Sequence, residues 1–250
     1  MDHVDIFQIR FPRLTQKEAI KLLLSKLNKN NSTAVYILDM SAINQTFHDS
    51  KLKKIYQNQA ITLNDGAALS FAAWLQGKPF PDNLNGTDLT PKLLQEVPDS
   101  TSVFVLGSYP EVLERACEVL SREFPHVNFS GHHHGYFNAS EEKQVVEMIR
   151  CQQPDIVLVG MGNPRQAEFI HRHKNDEQLK GILWIAIGGM LHYYGGNLKR
   201  APTWMRRWKL EWLSILLQQP HKFSRYIIGI PLFITRCLWA QWINNTERNK

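Results

Sequence analysis

The chain has 250 residues, 43% of them hydrophobic and 21% charged, with a formal net charge of +6. Those proportions exclude a disordered chain, and three scattered cysteines (Cys117, Cys151, Cys237) exclude a disulfide scaffold and fit a reduced, cytosolic protein. The longest uncharged apolar runs, 181–191 and 226–235, fall short of the roughly 20 residues of a membrane span, and the first seven residues, MDHVDIF, lack the pattern of a signal peptide.

Residues 6–11 read as a short strand. Thr15 and Glu18 form a capping box that opens a helix to about residue 27, and 28–32 read as a polar turn. A β-rich run at 33–38 leads into helical spacing over 41–57. Residues 61–63 form a short buried strand, broken by Asn64-Asp65-Gly66. Helices at 67–75 and 88–97 flank a Pro/Gly/Asn loop at 77–86. The second half alternates strands (102–106, 127–130, 155–159, 182–187) with helices (110–124, 140–152, 165–173). That alternation predicts an α/β fold: a Rossmann-like, mostly parallel sheet flanked by helices. A boundary near Gly195-Gly196 separates this body, 1–196, from a helical appendage, 197–250, with breaks expected at Pro220 and at 229–231.

Charge is uneven. Residues 197–250 hold ten Lys or Arg against two Glu, a surplus of eight, which leaves 1–196 at −2. Five of the seven tryptophans lie there as well. A basic, Trp-rich tail suits an anionic membrane surface or single-stranded nucleic acid, and inward packing of the tryptophans is the plain alternative. Trp204, Trp208, Trp212 and Ile215 share one helical face, with Arg206, Arg207 and Lys209 off it, so an interfacial helix is expected.

Three strands end in glycine turns: Gly107-Ser108, Gly160-Met161-Gly162 and Gly188-Gly189. Glycine lets backbone approach a phosphate at the carboxyl edge of such a sheet. The dinucleotide fingerprint is absent, because Arg165 stands where its third glycine belongs, and there is no Walker A motif. Asp65 is placed to accept a proton from an attacking hydroxyl, or to cap the next helix. His132-His133-His134 are three consecutive loop residues with no second cluster, so no metal site is expected. Tyr136 is a base-stacking or a core residue. With no Asp-x-Asp motif, a leaving diphosphate would need basic side chains or helix dipoles.

Several segments together resemble one family. They are Leu63-Asn64-Asp65-Gly66, the Gly77–Asp88 loop, Gly107-Ser108, His134-Gly135-Tyr136-Phe137, Gly160-Met161-Gly162-Asn163-Pro164-Arg165-Gln166, Gly188-Gly189, Lys199-Arg200-Ala201-Pro202 and Leu210-Glu211-Trp212-Leu213. Over about residues 5–235 the chain is similar to the WecG/TagA/CpsF glycosyltransferases. The resemblance implies an inverting, metal-independent transferase without a cofactor. It would move a sugar from a nucleotide donor, such as a UDP-hexose or UDP-N-acetylmannosamine or its uronic acid, onto a polyprenyl-diphosphate-linked sugar. The work would take place peripherally, at the cytoplasmic face of a bacterial inner membrane, in surface polysaccharide synthesis. Asp65 matches the family's general base. Asn64, Gly107, Ser108, Tyr136, Gly160, Gly162, Asn163, Gln166, Gly188, Gly189 and His192 are expected around the donor. Asp39, Asn83, Lys199, Arg200, Arg206 and Arg207 are expected around the diphosphate and acceptor.

Four positions depart from the family pattern. Ile37 and Asp39 stand for a Thr-x-Asn pair, Asn83 for an arginine and His192 for an aspartate, which implies altered specificity. A homo-oligomer is left open, and nucleic acid is not an expected partner. The competing readings are a lapsed membrane- or nucleic-acid-binding relative and a nicotinamide-dependent oxidoreductase.

Overall fold

A computed structural model describes residues 2–27, 30–58, 60–208 and 210–248. The predicted first strand is instead a hairpin, β1 (His3–Ile6) with β2 (Ile9–Pro12). Phe7 and Gln8 are not the usual turn residues, yet both have positive φ (51° and 70°), the geometry of a two-residue hairpin turn.

 Turn chemistry of that kind leaves no mark in residue type. Helix α1 (Gln16–Leu24) carries the expected box: Glu18 N donates to Thr15 Oγ1 (3.3 Å) and Thr15 N to Glu18 Oε2 (2.8 Å).

Strand β3 (Thr33–Leu38) leads into two helices, α2 (Met40–Gln45) and α3 (Ser50–Gln57), where one was expected. The Asp49 carboxylate accepts from Leu52 N at 2.9 Å and starts the second helix afresh. Next come β4 (Ala60–Asn64), α4 (Ala67–Leu75), α5 (Gly86–Glu96), β5 (Ser102–Gly107), α6 (Pro110–Glu123) and β6 (Asn128–His133). Strand β6 runs three residues past its predicted end, so His132 and His133 lie on a strand and not in a loop. Then follow α7 (Ala139–Gln152), β7 (Ile156–Gly160), α8 (Arg165–His173), β8 (Leu183–Ala186) and α9 (Met190–Tyr194).

Strands β3 to β8 form one parallel sheet in the order β4-β3-β8-β7-β5-β6. Its central strands are buried on both faces, as apolar runs such as Ala34–Leu38 and Val103–Leu106 require. Tyr36, Phe104, Phe169 and Trp184 pack on one side, and Val35, Val105, Leu158 and Ile185 on the other.

The tail contains α10 (Thr203–Arg207), α11 (Glu211–Gln218), a short turn at Pro220–Lys222, a π-helical turn at Ser224–Ile228 and α12 (Gly229–Arg248). The single Trp-lined helix expected at 204–215 is therefore two pieces. Trp204 and Trp208 are exposed, whereas Trp212 is half-buried beside Tyr226 (6.1 Å between ring centroids). Lys209 lies outside the described residues, as do 28 and 29 of the expected polar turn.

The expected break at 229–231 is absent. Pro231 falls in the first turn of α12, where a missing N–H costs little, and helix continues through it. As a result Pro220–Ile243, 24 residues, is long and apolar enough to cross a membrane by length and composition, contrary to the run-length reading. One side of it packs on the body. Tyr226, Phe233 and Cys237 are buried in the same core as the sheet. Asn44 Nδ2 donates to Gly229 O (3.0 Å), and Arg236 donates to Asn44 Oδ1 (2.7 Å) while lying 3.9 Å from the centroid of the Phe47 ring.

Candidate active site

The candidate residues of the body gather on one edge of the sheet, because all six strands point the same way. Asp39 follows β3, Asp65 follows β4, Ser108 follows β5, Tyr136 follows β6, Met161 to Asn163 follow β7, and Gly188-Gly189 follow β8. The strand order puts Asp39 and Asp65 side by side at one end. The glycine turns and Tyr136 lie over the other strands. At about 4.8 Å per strand, β4 is roughly 19 Å from β5.

Asp65 is held by its backbone: its N–H donates to Leu38 O (2.9 Å). The next residue, Gly66, is the N-cap of α4, at φ 92° and with no side-chain cap. Asp65 is thus not spent as a helix cap. Its carboxylate makes no hydrogen bond or ion pair among the described residues. The loop after α4 braces this corner. Gly66 N donates to Asn83 Oδ1 (2.7 Å), Asn64 Nδ2 to Asp82 O (2.9 Å) and Leu84 N to Asn64 O (3.0 Å). Asn64 is fully buried, and its Oδ1 has no partner among the described residues.

Burial pushes the Asp65 carboxyl up to about 7, and the negative charges of Asp39, Glu211 and Asp88 add to this, while Arg225 works against it. Asp39 behaves oppositely. Burial would raise it too, but the Arg225 guanidinium and the α2 backbone N–H groups outweigh that and hold it below the usual carboxylate range. Asp39 Oδ1 caps α2 through Ala42 N (2.9 Å), and its Oδ2 pairs with Arg225.

Two members of this corner, Glu211 and Arg225, come from the tail. Arg200 Nη2 donates to Asp88 Oδ1 (2.7 Å), lies 3.6 Å from Glu211 Oε1 through Nε, and sits 5.6 Å from the centroid of the Tyr193 ring. Lys222 lies close enough to feel Arg225 and Asp39, and burial, then Arg225, pulls its ammonium below the usual range. Of the four tail cations expected from sequence, Arg200 is the one placed among these carboxylates. Lys199 pairs through its backbone with Gln218 (2.8 and 2.9 Å), and Arg206 and Arg207 are exposed on α10. Sequence reasoning missed Lys222, Arg225 and Glu211 as site residues. The only signal for them was the family segment around Glu211 and the general basic excess of the tail.

The glycine turns interlock. A Cβ on Gly107 (φ 139°) would lie 2.4 Å from the carbonyl of Gly160, so no other residue fits there. Ser108, at φ 64°, donates through its N–H to Gly160 O (3.2 Å), and its buried Oγ has no partner among the described residues. Gln166 is buried and braces the next turn: its Oε1 accepts from Gly162 N (3.2 Å) and its Nε2 donates to Asn163 Oδ1 (3.2 Å), which also accepts from Tyr56 Oη (3.2 Å). The Asn163–Pro164 peptide is cis. Gly188 (φ 57°) and Gly189 have open space where a Cβ would stand. Tyr136 is exposed and not in the core, and burial, then Lys222, lowers the His192 imidazole below the usual histidine range. Among the described residues, no three His, Cys, Asp or Glu side chains converge as metal ligands.

A parallel α/β sheet with a carboxylate and interlocked glycine turns on its carboxyl edge places these residues where α/β enzymes carry their ligand sites. The model of the WecG/TagA/CpsF glycosyl transferase family matches residues 4–248, and the chain belongs to that family. It is a glycosyltransferase. A Staphylococcus aureus N-acetylglucosaminyldiphosphoundecaprenol N-acetyl-β-D-mannosaminyltransferase is 31% identical over 242 residues, covering 95% of this chain and 93% of the relative. A protein of the same name from Bacillus spizizenii is 28% identical over 195 residues, 78% of this chain and 74% of the relative.

Proposed function

We propose that the enzyme transfers a hexose-type sugar, of the N-acetylmannosamine class or its uronic acid, from a UDP-sugar to a polyprenyl-diphosphate-linked sugar. The observation that carries this reading is Asp65, an unpartnered carboxylate with a pKa near 7 on the carboxyl edge of the sheet. The names of the two relatives supply the substrate class. Asp65 takes the proton of the acceptor hydroxyl. The freed oxygen attacks the anomeric carbon from the face opposite the diphosphate. The carbon–oxygen bond to the diphosphate breaks, its electron pair leaves with the nucleoside diphosphate, and the configuration inverts. Backbone N–H groups of the glycine turns and the cations Arg200, Lys222 and Arg225 receive the negative charge, so no metal is required.

The tail favours peripheral docking on an anionic membrane, at the cytoplasmic face. Phe223, Ile228, Leu238, Trp239 and Trp242 are each more than half exposed along one helical run whose other side is buried on the body. Ile37, Asp39, Asn83 and His192 adjust which sugar is accepted. The test is turnover of a panel of UDP- and GDP-sugars with a polyprenyl-diphosphate-N-acetylglucosamine acceptor, with and without EDTA. Inverted product formed in EDTA supports the reading. Retained configuration, a requirement for Mg²⁺ or Mn²⁺, or no transfer from any donor overturns it.

A further inference from the structure

Two tyrosines stand stacked at the open edge of the sheet, and neither the family motifs nor the acid–base chemistry accounts for one of them. Tyr109 follows β5 and Tyr136 follows β6, so their loops are neighbours. Their rings lie 4.6 Å apart at 14°, nearly parallel, and each residue is 49% exposed. An aromatic pair left half in water has given up the burial that usually justifies it.

The surrounding backbone fixes both rings. Gly107 (φ 139°) and Ser108 (φ 64°) turn the chain out of β5 just before Tyr109, which then precedes Pro110 at the start of α6. On the other side, Tyr136 N donates to His134 Nδ1 (3.3 Å), and Arg165 Nη2 donates to Gly135 O (2.7 Å). The Arg165 guanidinium lies 5.8 Å from the Tyr136 ring centroid. His192, from α9, meets Tyr109 edge-on at 6.2 Å and 68°. Three aromatic rings, two from loops and one from helix α9, therefore converge beside the Gly107 and Gly160 turns, at the end of the edge away from Asp65.

We propose that Tyr109 is a further donor-binding residue, which adds a stacking face for the planar base of the donor nucleotide beside Tyr136 and His192, the two residues already expected around the donor. This rests on the donor being a nucleotide sugar, as proposed above. The geometry gives the donor a direction. Its base lies over the β5–β6 end, its diphosphate over the β7 and β8 turns, and its sugar reaches toward β3 and β4, where Asp65 waits. The Tyr109 ring contributes a flat π-face, and its hydroxyl is not needed for that.

The test is calorimetric titration of the full chain and its variants with UDP and, separately, with inorganic pyrophosphate, alongside a thermal melt. Base stacking on an aromatic side chain is typically worth about 5- to 100-fold in affinity on alanine substitution. Tyr109→Ala and Tyr109→Leu should each weaken UDP by a factor in that range and leave pyrophosphate binding and the melt unchanged. Tyr109→Phe should bind UDP as the wild type does. UDP affinity within twofold of wild type in both Tyr109→Ala and Tyr109→Leu overturns the proposal. So does a loss shared equally by pyrophosphate, which would mark a collapsed loop, or tighter UDP binding by Tyr109→Ala, which would make the ring an obstruction. If wild-type protein binds neither UDP nor another nucleoside diphosphate, the donor assignment itself fails, and the platform with it.

Discussion

Replacing Asp65 with asparagine should separate catalysis from stability in opposite directions. The carboxyl rises from 3.8 to about 7 in the fold, chiefly by burial and then by the charges of Asp39 and Glu211. A carboxylate with a raised pKa binds its proton more tightly folded than unfolded. Stability therefore falls as pH climbs from about 4 through 7, and the cost is complete above that. A rise of this size corresponds to at most about 4 kcal/mol. Asp65 keeps some contact with solvent, and screening there reduces this to about 1–2 kcal/mol. Asp65→Asn is nearly isosteric and carries no charge, so at pH 8 it should melt about 2–8 °C above the wild type. At pH 4 the two should melt together. In the transfer assay the same variant should lose about 10²–10⁴ in rate, and the wild-type rate should rise with pH through about 7 as the base form appears. Thermal melts at pH 4, 6 and 8 and initial rates over the same range are the assay. A variant that transfers sugar at wild-type rate removes Asp65 from the mechanism. A variant that melts lower than wild type at pH 8 shows that the carboxylate is stabilised by the fold, and the argument from burial fails.

Gly107→Ala should be severe, because the added methyl meets the Gly160 carbonyl at 2.4 Å and the backbone is at φ 139°; a loss of about 3 kcal/mol or more in urea unfolding is expected, and a loss under 1 would show that the two turns can part. Phe233→Ala, on α12, should cost about 3–5 kcal/mol, since the ring is fully buried in the body's core; a melt like that of the wild type would mean the tail contributes little to the fold. Trp239→Ser with Trp242→Ser should leave the melt unchanged, because both rings are about two-thirds exposed, yet reduce co-sedimentation with anionic liposomes; undiminished sedimentation would place the membrane contact elsewhere.

The sequence by itself determined what depends on near neighbours. Alternating apolar strands and amphipathic helices fixed a parallel α/β sheet, since a strand buried on both faces must be apolar throughout. The capping box at Thr15 and Glu18 was legible, because both partners lie within one turn. Glycine turns and Asp65 were legible as a group because a parallel sheet brings every strand's carboxyl end to one edge. The hairpin turn at Phe7-Gln8 and the continuation of helix through Pro231 were not, since each depends on a backbone state that residue type does not specify. Only the tertiary structure decided which tail cations reach the carboxylates of the body. Arg225 meets Asp39 across 186 positions of chain, and Arg200 meets Asp88 across 112. Ion pairs of that kind have no period and no spacing. They exist because Tyr226, Phe233 and Cys237 pack into the core and carry Arg225 to Asp39, while Arg206 and Arg207, equally basic, stay in solvent.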